Sequence, residues 1–294
     1  MKFSIIGPSG YIANRHLSAI KRIQKSNIYS YLDIVESAFE GNTTQTKFFK
    51  NQNDFFQDLS KNPVDYLIIC SPNNLHFHQI LESIKLDIKV ICEKPICINI
   101  DDLNFLNELD PQKKDLIYSI MQLRLHPVAS LIHELVRKGG SKKYATVKYV
   151  SRRDELYKKS WKVKREFSGG ILFNLGIHYF DLILNAWSQP LNTKIEVLTN
   201  TTAKGKTING DLELEWLFSI DEKYLKDGQD TFREFKIDEQ NINFSNVAED
   251  LHYLNYLEII IKPCRIFYRI DSNKVYIVYI MRSEQDLKKY LLNS

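Results

Sequence analysis

Lys2-Phe3-Ser4-Ile5-Ile6-Gly7-Pro8-Ser9-Gly10-Tyr11-Ile12-Ala13 is the stretch that decides the fold. Lys2 to Ile6 reads as a short buried strand, and a glycine turn follows at once. Beyond it Ile12, His16, Ile20 and Ile23 recur at helical spacing through about residue 25. Strand, glycine turn, helix is the context that a dinucleotide fingerprint needs. Glycine permits the tight turn and lets the backbone approach a pyrophosphate. The helix start offers unpaired N–H groups and a positive dipole end. Gly7, Gly10, Tyr11 and Ile12 are the candidate contacts. The pattern is GxxGxxA, one residue looser than GxGxxG, and by itself it also fits an ordinary glycine turn.

The next strand, Asn27 to Leu32, ends at Asp33. An acid about 20 positions after the glycines is placed to bind the adenosine ribose hydroxyls. It would repel the extra phosphate of NADP, so NAD is the expected cofactor. Between Glu40 and Asn62 a short strand and a helix fit the paired phenylalanines. Val64 to Cys70 is a strongly apolar strand, and Ser71 to His76 turn into a helix running to about Leu86. Ser71, Asn73 and His76 stand where a nicotinamide ribose is bound, although Asn73 or Asn74 also reads as a helix cap.

Lys89 to Cys92 is the following strand and stops at Glu93-Lys94-Pro95. Ligands of an open parallel sheet bind beyond the carboxyl ends of its strands. Glu93 and Lys94 are therefore candidates for the crevice, unless they form a plain surface turn. Asp101-Asp102 opens a helix. Leu116 to Leu123 reads as a strand ending at Arg124 and His126, and Pro127 to Lys138 as a helix stopped by Gly139-Gly140. This alternation predicts a doubly wound parallel sheet, a Rossmann domain over residues 1–125.

Residues 126–294 change pattern and are expected to form an α+β domain for substrate binding and oligomerisation. Tyr144 to Val150, Thr193 to Ala203, Asp211 to Ile220, Phe232 to Ile237 and Ile242 to Phe244 read as strands without intervening helices. A mostly antiparallel sheet follows. Asn174, His178 and Asp181 fall four and three apart, along one helix face. A histidine there can serve as a base near neutral pH, or pack against backbone or Asp181. Tyr157-Lys158-Lys159-Ser160-Trp161-Lys162 can grip an anionic, ring-bearing ligand, or form a solvated basic loop. Ala248 to Ile261 reads as a helix. Residues 271–285 fit a strand by propensity and a helix by spacing.

The 294 residues are 44% hydrophobic, 12% aromatic and 26% charged, with a net charge of +4, as in a globular protein with a sizeable core. The charge is dispersed, which argues against nucleic acid as a partner. No metal-ligand spacing occurs among Cys70, Cys92, Cys97 and Cys264, and reduced thiols point to the cytoplasm. No targeting segment is visible and no stretch reaches membrane-spanning length.

The glycine turn, the Glu93-Lys94-Pro95 strand end and the Gly169-Gly170…Asn174-x-x-x-His178-x-x-Asp181 segment together resemble the Gfo/Idh/MocA oxidoreductases. Gly10-Tyr11-Ile12-Ala13, Ile69 to Asn73, Gln122-Leu123-Arg124, Lys159 to Lys162 and Asp250-Leu251-His252 look like its WlbA/WbpB branch. That resemblance implies NAD-dependent oxidation of C3 of UDP-N-acetylglucosaminuronic acid (UDP-GlcNAcA), on the way to surface-polysaccharide (O-antigen, lipopolysaccharide) sugars. It implies that the hydroxyl lies between Lys94 and His178, either of which could be the base. Asn174 would orient substrate, and Arg124, Tyr157, Ser160, Trp161 and Lys162 would hold its carboxylate and UDP. It also implies a homotetramer and 2-oxoglutarate as a possible hydride acceptor. A dehydrogenase of another sugar or cyclitol and a catalytically silent NAD-binding sensor are the alternatives. The resemblance favours a helix over 271–285, to cover the parallel sheet.

Overall fold

The computed structural model describes residues 1–36, 39, 41–125, 127–137, 142–187, 192–238, 240–242, 256–261, 264–271 and 274–282. The first half runs β1 (Lys2–Ile6), α1 (Ala13–Lys21), β2 (Asn27–Leu32), β3 (Lys47–Phe49), α2 (Gln52–Lys61), β4 (Tyr66–Ile69), α3 (Asn73–Lys85), β5 (Lys89–Cys92), α4 (Ile100–Glu108), α5 (Pro111–Lys114) and β6 (Ile117–Ser119). The six strands form one all-parallel sheet in the order β3-β2-β1-β4-β5-β6. The strand order reverses between β1 and β4, so a crevice opens there at the carboxyl ends. Ile5, Leu67, Ile69, Val90 and Cys92 are fully buried, as strands covered on both faces must be.

Several boundaries shift for local reasons. α1 stops at Lys21, and Lys25 takes a left-handed conformation before β2. α2 starts where the Asn51 side chain accepts the N–H groups of Asn53 and Asp54. The strand expected over 116–123 is only three residues long and passes into a 3-10 turn, Gln122–Leu125. The cap expected from Asn73 or Asn74 is absent, because Pro72 occupies that position and offers no side-chain acceptor.

The second half continues with α6 (Pro127–Arg137), β7 (Lys143–Ser151), α7 (Glu155–Lys159), α8 (Arg165–Ser168), a π-helical segment Leu172–Gly176, α9 (Ile177–Trp187), β8 (Asn192–Leu198), β9 (Thr202–Asn209), β10 (Leu212–Ser219), β11 (Thr231–Ile237) and β12 (Gln240–Asn241). Its sheet, ordered β12-β11-β7-β10-β9-β8, is antiparallel except for the β7–β10 pair. The single strand expected over 193–203 is two strands, because Thr199 Oγ1 accepts the N–H groups of Thr201 and Thr202 and turns the chain. Trp216, Phe218 and Phe235 pack with Ile132 of α6 and Leu182 and Ile183 of α9.

Arg165–Ala186 is long and apolar enough to cross a membrane by length and composition alone, contrary to the sequence expectation. Its Ile171, Leu175, Tyr179, Leu182 and Ile183 are buried against the second sheet, so packing accounts for the apolar face.

The C-terminal expectation is corrected. β13 (Tyr256–Ile261), β14 (Cys264–Asp271) and β15 (Lys274–Arg282) form an antiparallel three-stranded sheet. Residues 256–261 and 274–282 are therefore strands, not helices. The run Val275-Tyr276-Ile277-Val278-Tyr279-Ile280 is β-branched and aromatic throughout. With Asp271 paired to Lys274, a hairpin satisfies its backbone locally. His126, Gly139-Gly140, the Asp250-Leu251-His252 motif and Phe244 lie outside the described residues.

Candidate active site

The glycine turn is built for close approach. Gly7 has φ +74°, and a Cβ there would stand 3.0 Å from the Cys70 carbonyl oxygen across the β1–β4 crevice. α1 has no acid in its first turn and no side-chain cap. The N–H groups of Tyr11 and Ile12 meet no acceptor among the described residues. Tyr11 itself is exposed. These features fit a dinucleotide phosphate at a helix start. Asp33 ends β2, where its Oδ2 accepts from the Ser9 N–H (3.1 Å) and hydroxyl (2.6 Å). The expected ribose ligand is thereby held against the glycine turn.

The expected nicotinamide-side residues are mostly engaged with protein. The Ser71 hydroxyl donates to Gln79 Oε1 at 2.6 Å in a buried pair. Asn73 Nδ2 donates to the Ser168 carbonyl at 2.8 Å and so ties the β4–α3 turn to the segment before α9. His76 is fully buried, with Nδ1 2.7 Å from the Pro95 carbonyl and Nε2 2.8 Å from that of Ser71. Burial holds its pKa below the usual value. The ring pins two loops of the crevice. Glu93 Oε1 lies 2.8 Å from His16 Nε2. Asn74 Oδ1 is buried with no partner among the described residues.

Two chemically loaded groups meet at the other side of the crevice. Lys94 leaves the end of β5 just before a cis Lys94–Pro95 bond and donates from Nζ to the Asn174 carbonyl at 3.0 Å. Burial pulls its pKa down to about 8, helped by the charges of Lys162 and Arg153 and opposed by Glu93. His178 begins α9 directly after the π-helical segment, a distortion common at functional sites. Its pKa is lowered to about 4, by burial first and by the Lys94 charge second. Its Nδ1 is buried without a partner. Asn174 Nδ2 donates to the Lys162 carbonyl at 2.8 Å, so one asparagine links both lysines.

Lys94 and His178 stand 84 positions apart in sequence, yet the charge of one perturbs the other. Residues 1–120 match the family description "Oxidoreductase family, NAD-binding Rossmann fold", and 133–185 match its "C-terminal alpha/beta domain". The WlbA (WbpB) dehydrogenase from Thermus thermophilus, solved with NAD and UDP-GlcNAcA, is 30% identical, with 83% of each chain covered and a TM-score of 0.75. The chain belongs to the Gfo/Idh/MocA oxidoreductase family. A second structure of the same Thermus enzyme, with NAD and alpha-ketoglutarate, matches at TM-score 0.74 over the same share of both chains. Myo-inositol 2-dehydrogenase from Thermotoga maritima is 24% identical over 185 residues, 62% of this chain and 53% of that protein. The chain spans about half the length of that curated relative.

This oxidoreductase thus carries the family's NAD-binding Rossmann domain, and the residues of its crevice fit that cofactor. Among the predicted substrate contacts, Ser160 is committed to local structure. Its Oγ accepts the Lys162 N–H and donates to the Tyr157 carbonyl. Lys162 Nζ lies 5.8 Å from the Tyr157 ring and 6.0 Å from the Trp161 ring. Arg124 is diverted. Its Nε donates to Asp181 Oδ2 at 2.8 Å, and a second short bond completes a bidentate pair. Asp181, on the His178 helix, therefore bonds Arg124 and not the imidazole. Sequence reasoning missed Arg153, whose guanidinium lies 4.9 Å over the Tyr157 ring. The position of Arg152-Arg153 at the end of β7, facing the Tyr157 to Lys162 segment, was the available signal. No group of metal-binding side chains occurs among the described residues.

Proposed function

We propose that this chain is an NAD-dependent dehydrogenase that oxidises the C3 hydroxyl of UDP-GlcNAcA to the 3-keto sugar, in the cytoplasm, for bacterial surface-polysaccharide synthesis. One observation carries the reading: the Lys94 ammonium bonds the carbonyl of Asn174, one helical turn before His178, and neither Lys94 nor His178 forms an ion pair among the described residues. Such a pair suits a hydroxyl that must lose a proton while its carbon loses a hydride. The bound NAD supplies the hydride acceptor. His178 is neutral at pH 7, because its pKa is about 4, and its imidazole takes the hydroxyl proton. Lys94 is mostly charged at pH 7 and donates to the same oxygen, steadying the alkoxide in a half-buried site. Asn174 fixes Lys94 through its carbonyl and faces Lys162 through its amide.

The nucleotide-sugar assignment rests on the likeness to the Thermus enzyme and on the cationic, aromatic wall of Tyr157, Trp161 and Lys162. The second structure of that enzyme supports 2-oxoglutarate as a hydride acceptor in turn. A homotetramer and a domain division near residue 125 complete the reading. The likeness to an inositol dehydrogenase favours a cyclitol as the second reading. Parallel assays with NAD decide between them: NADH forms with UDP-GlcNAcA and not with free myo-inositol. NADH from myo-inositol alone reverses the assignment, and none from any sugar leaves only an NAD-binding sensor.

A further inference from the structure

Most lysines of the second sheet are neutralised. Lys142, Lys143, Lys148, Lys204, Lys206 and Lys236 each hold a carboxylate within 2.9 Å. The cations around the crevice are different. Lys94, Lys162 and Arg153 form no ion pair among the described residues, and Glu93, the acid beside Lys94, is already bonded to His16. Lys94 and Arg153 are half-buried, and positive charges left uncompensated there are unfavourable unless an anion joins them.

Arg153 is the best placed of the three to take that anion. Its guanidinium carbon lies 4.9 Å from the centroid of the Tyr157 ring. Its Nε is buried and unpaired. A guanidinium carries its N–H donors in a rigid planar fork, which matches a carboxylate bidentately. The same ring lies 5.8 Å from Lys162 Nζ, Lys162 bonds Asn174, and Asn174 bonds Lys94. Arg153 is near enough for its charge to act on Lys94, the residue that handles the reacting hydroxyl. Arg124, the arginine that the sequence offered for this purpose, is closed by its bidentate pair with Asp181.

We infer that Arg153 is a specificity-determining residue that binds the sugar carboxylate of a hexuronate substrate through its guanidinium. An Arg153 charge that reaches Lys94 favours an anion carried on the reacting ring. The inference rests on the nucleotide-hexuronate reading above and adds the residue that selects the acid from its neutral counterpart.

The test compares UDP-GlcNAcA with UDP-N-acetylglucosamine, which has the same diphosphate and no sugar carboxylate. Wild-type enzyme, Arg153→Met and Arg153→Lys are assayed for kcat and KM, for inhibition by UDP and for NAD affinity. Arg153→Met is expected to lower kcat/KM for the acid about 100-fold and to change it less than about 3-fold for the neutral sugar. Arg153→Lys restores part of the loss, and UDP inhibition and NAD affinity stay as in wild type. An equal loss on both sugars, or weaker UDP inhibition, assigns Arg153 to the diphosphate or to structure and overturns the inference. Unchanged kcat/KM for the acid also overturns it while the proposed function stands. A wild-type enzyme that turns over neither nucleotide sugar overturns the proposed function and the inference with it.

Discussion

Replacing Lys94 by methionine should abolish turnover and make the protein more stable. A lysine held at about 8 in place of 10.5 costs the folded state at most about 3 kcal/mol at pH 7. The sign follows from the lowered pKa of a base: the cost is full below about pH 8 and fades as the pH approaches 10.5. Methionine fills a similar volume without charge. The variant also loses the bond to the Asn174 carbonyl, which offsets about 1 kcal/mol. The net gain is about 2 kcal/mol at pH 7 and close to zero near pH 10. Urea denaturation of wild type and Lys94→Met at both pH values measures it. Turnover should fall by about a thousandfold, as for loss of a donor to a developing oxyanion. A stability difference that is negative at pH 7, or the same at pH 7 and pH 10, would refute the reasoning, because the lysine would then not be held uncomfortably for function.

Other expectations follow from the same geometry. Neutral His178 and charged Lys94 keep kcat/KM level between about pH 4 and about pH 8, with losses on either side; a profile that climbs through pH 8 makes Lys94 the base. Gly7→Ala forces a Cβ to 3.0 Å from the Cys70 carbonyl at φ +74°. It should lower stability by about 2 kcal/mol and weaken NAD binding, readable by thermal denaturation with and without NAD. Arg124→Ala leaves Asp181, whose side chain is 9% exposed, without its partner. It should cost about 2 kcal/mol in urea denaturation, with the KM for UDP-GlcNAcA within about 3-fold of wild type. A large rise in that KM returns Arg124 to the substrate.

The N-terminal architecture was readable because its period and punctuation agree. Glycines follow β1, apolar residues recur along α1, and Asp33 closes β2. The place of Lys94 just beyond β5 was readable for the same reason, as a charged residue after an apolar strand. The C-terminal hairpin was not, since Val275, Val278, Tyr279 and Arg282 satisfy helical spacing while their β-branched and aromatic neighbours favour a strand. Expectation from the resemblance chose the wrong one. Partner choice across long sequence separations was also hidden. Nothing near Ser71 or Arg124 announces Gln79 or Asp181, so two predicted ligand contacts proved committed to the protein. Arg153 escaped notice because its approach to Tyr157 is set by the fold of the chain after β7 and not by any spacing in the sequence. The π-helical turn before His178 has no sequence signature of its own.

In the proposed reaction Lys94 and His178 act together on one hydroxyl while its carbon gives a hydride to NAD. UDP-GlcNAcA carrying deuterium at C3 tests it most directly, with the nicotinamide product and the sugar analysed by mass after a single turnover. Wild type should give deuterium in NADH and a 3-keto sugar, and His178→Ala neither product despite retained NAD binding. Unlabelled NADH, label retained in the sugar, or full transfer by His178→Ala contradicts it.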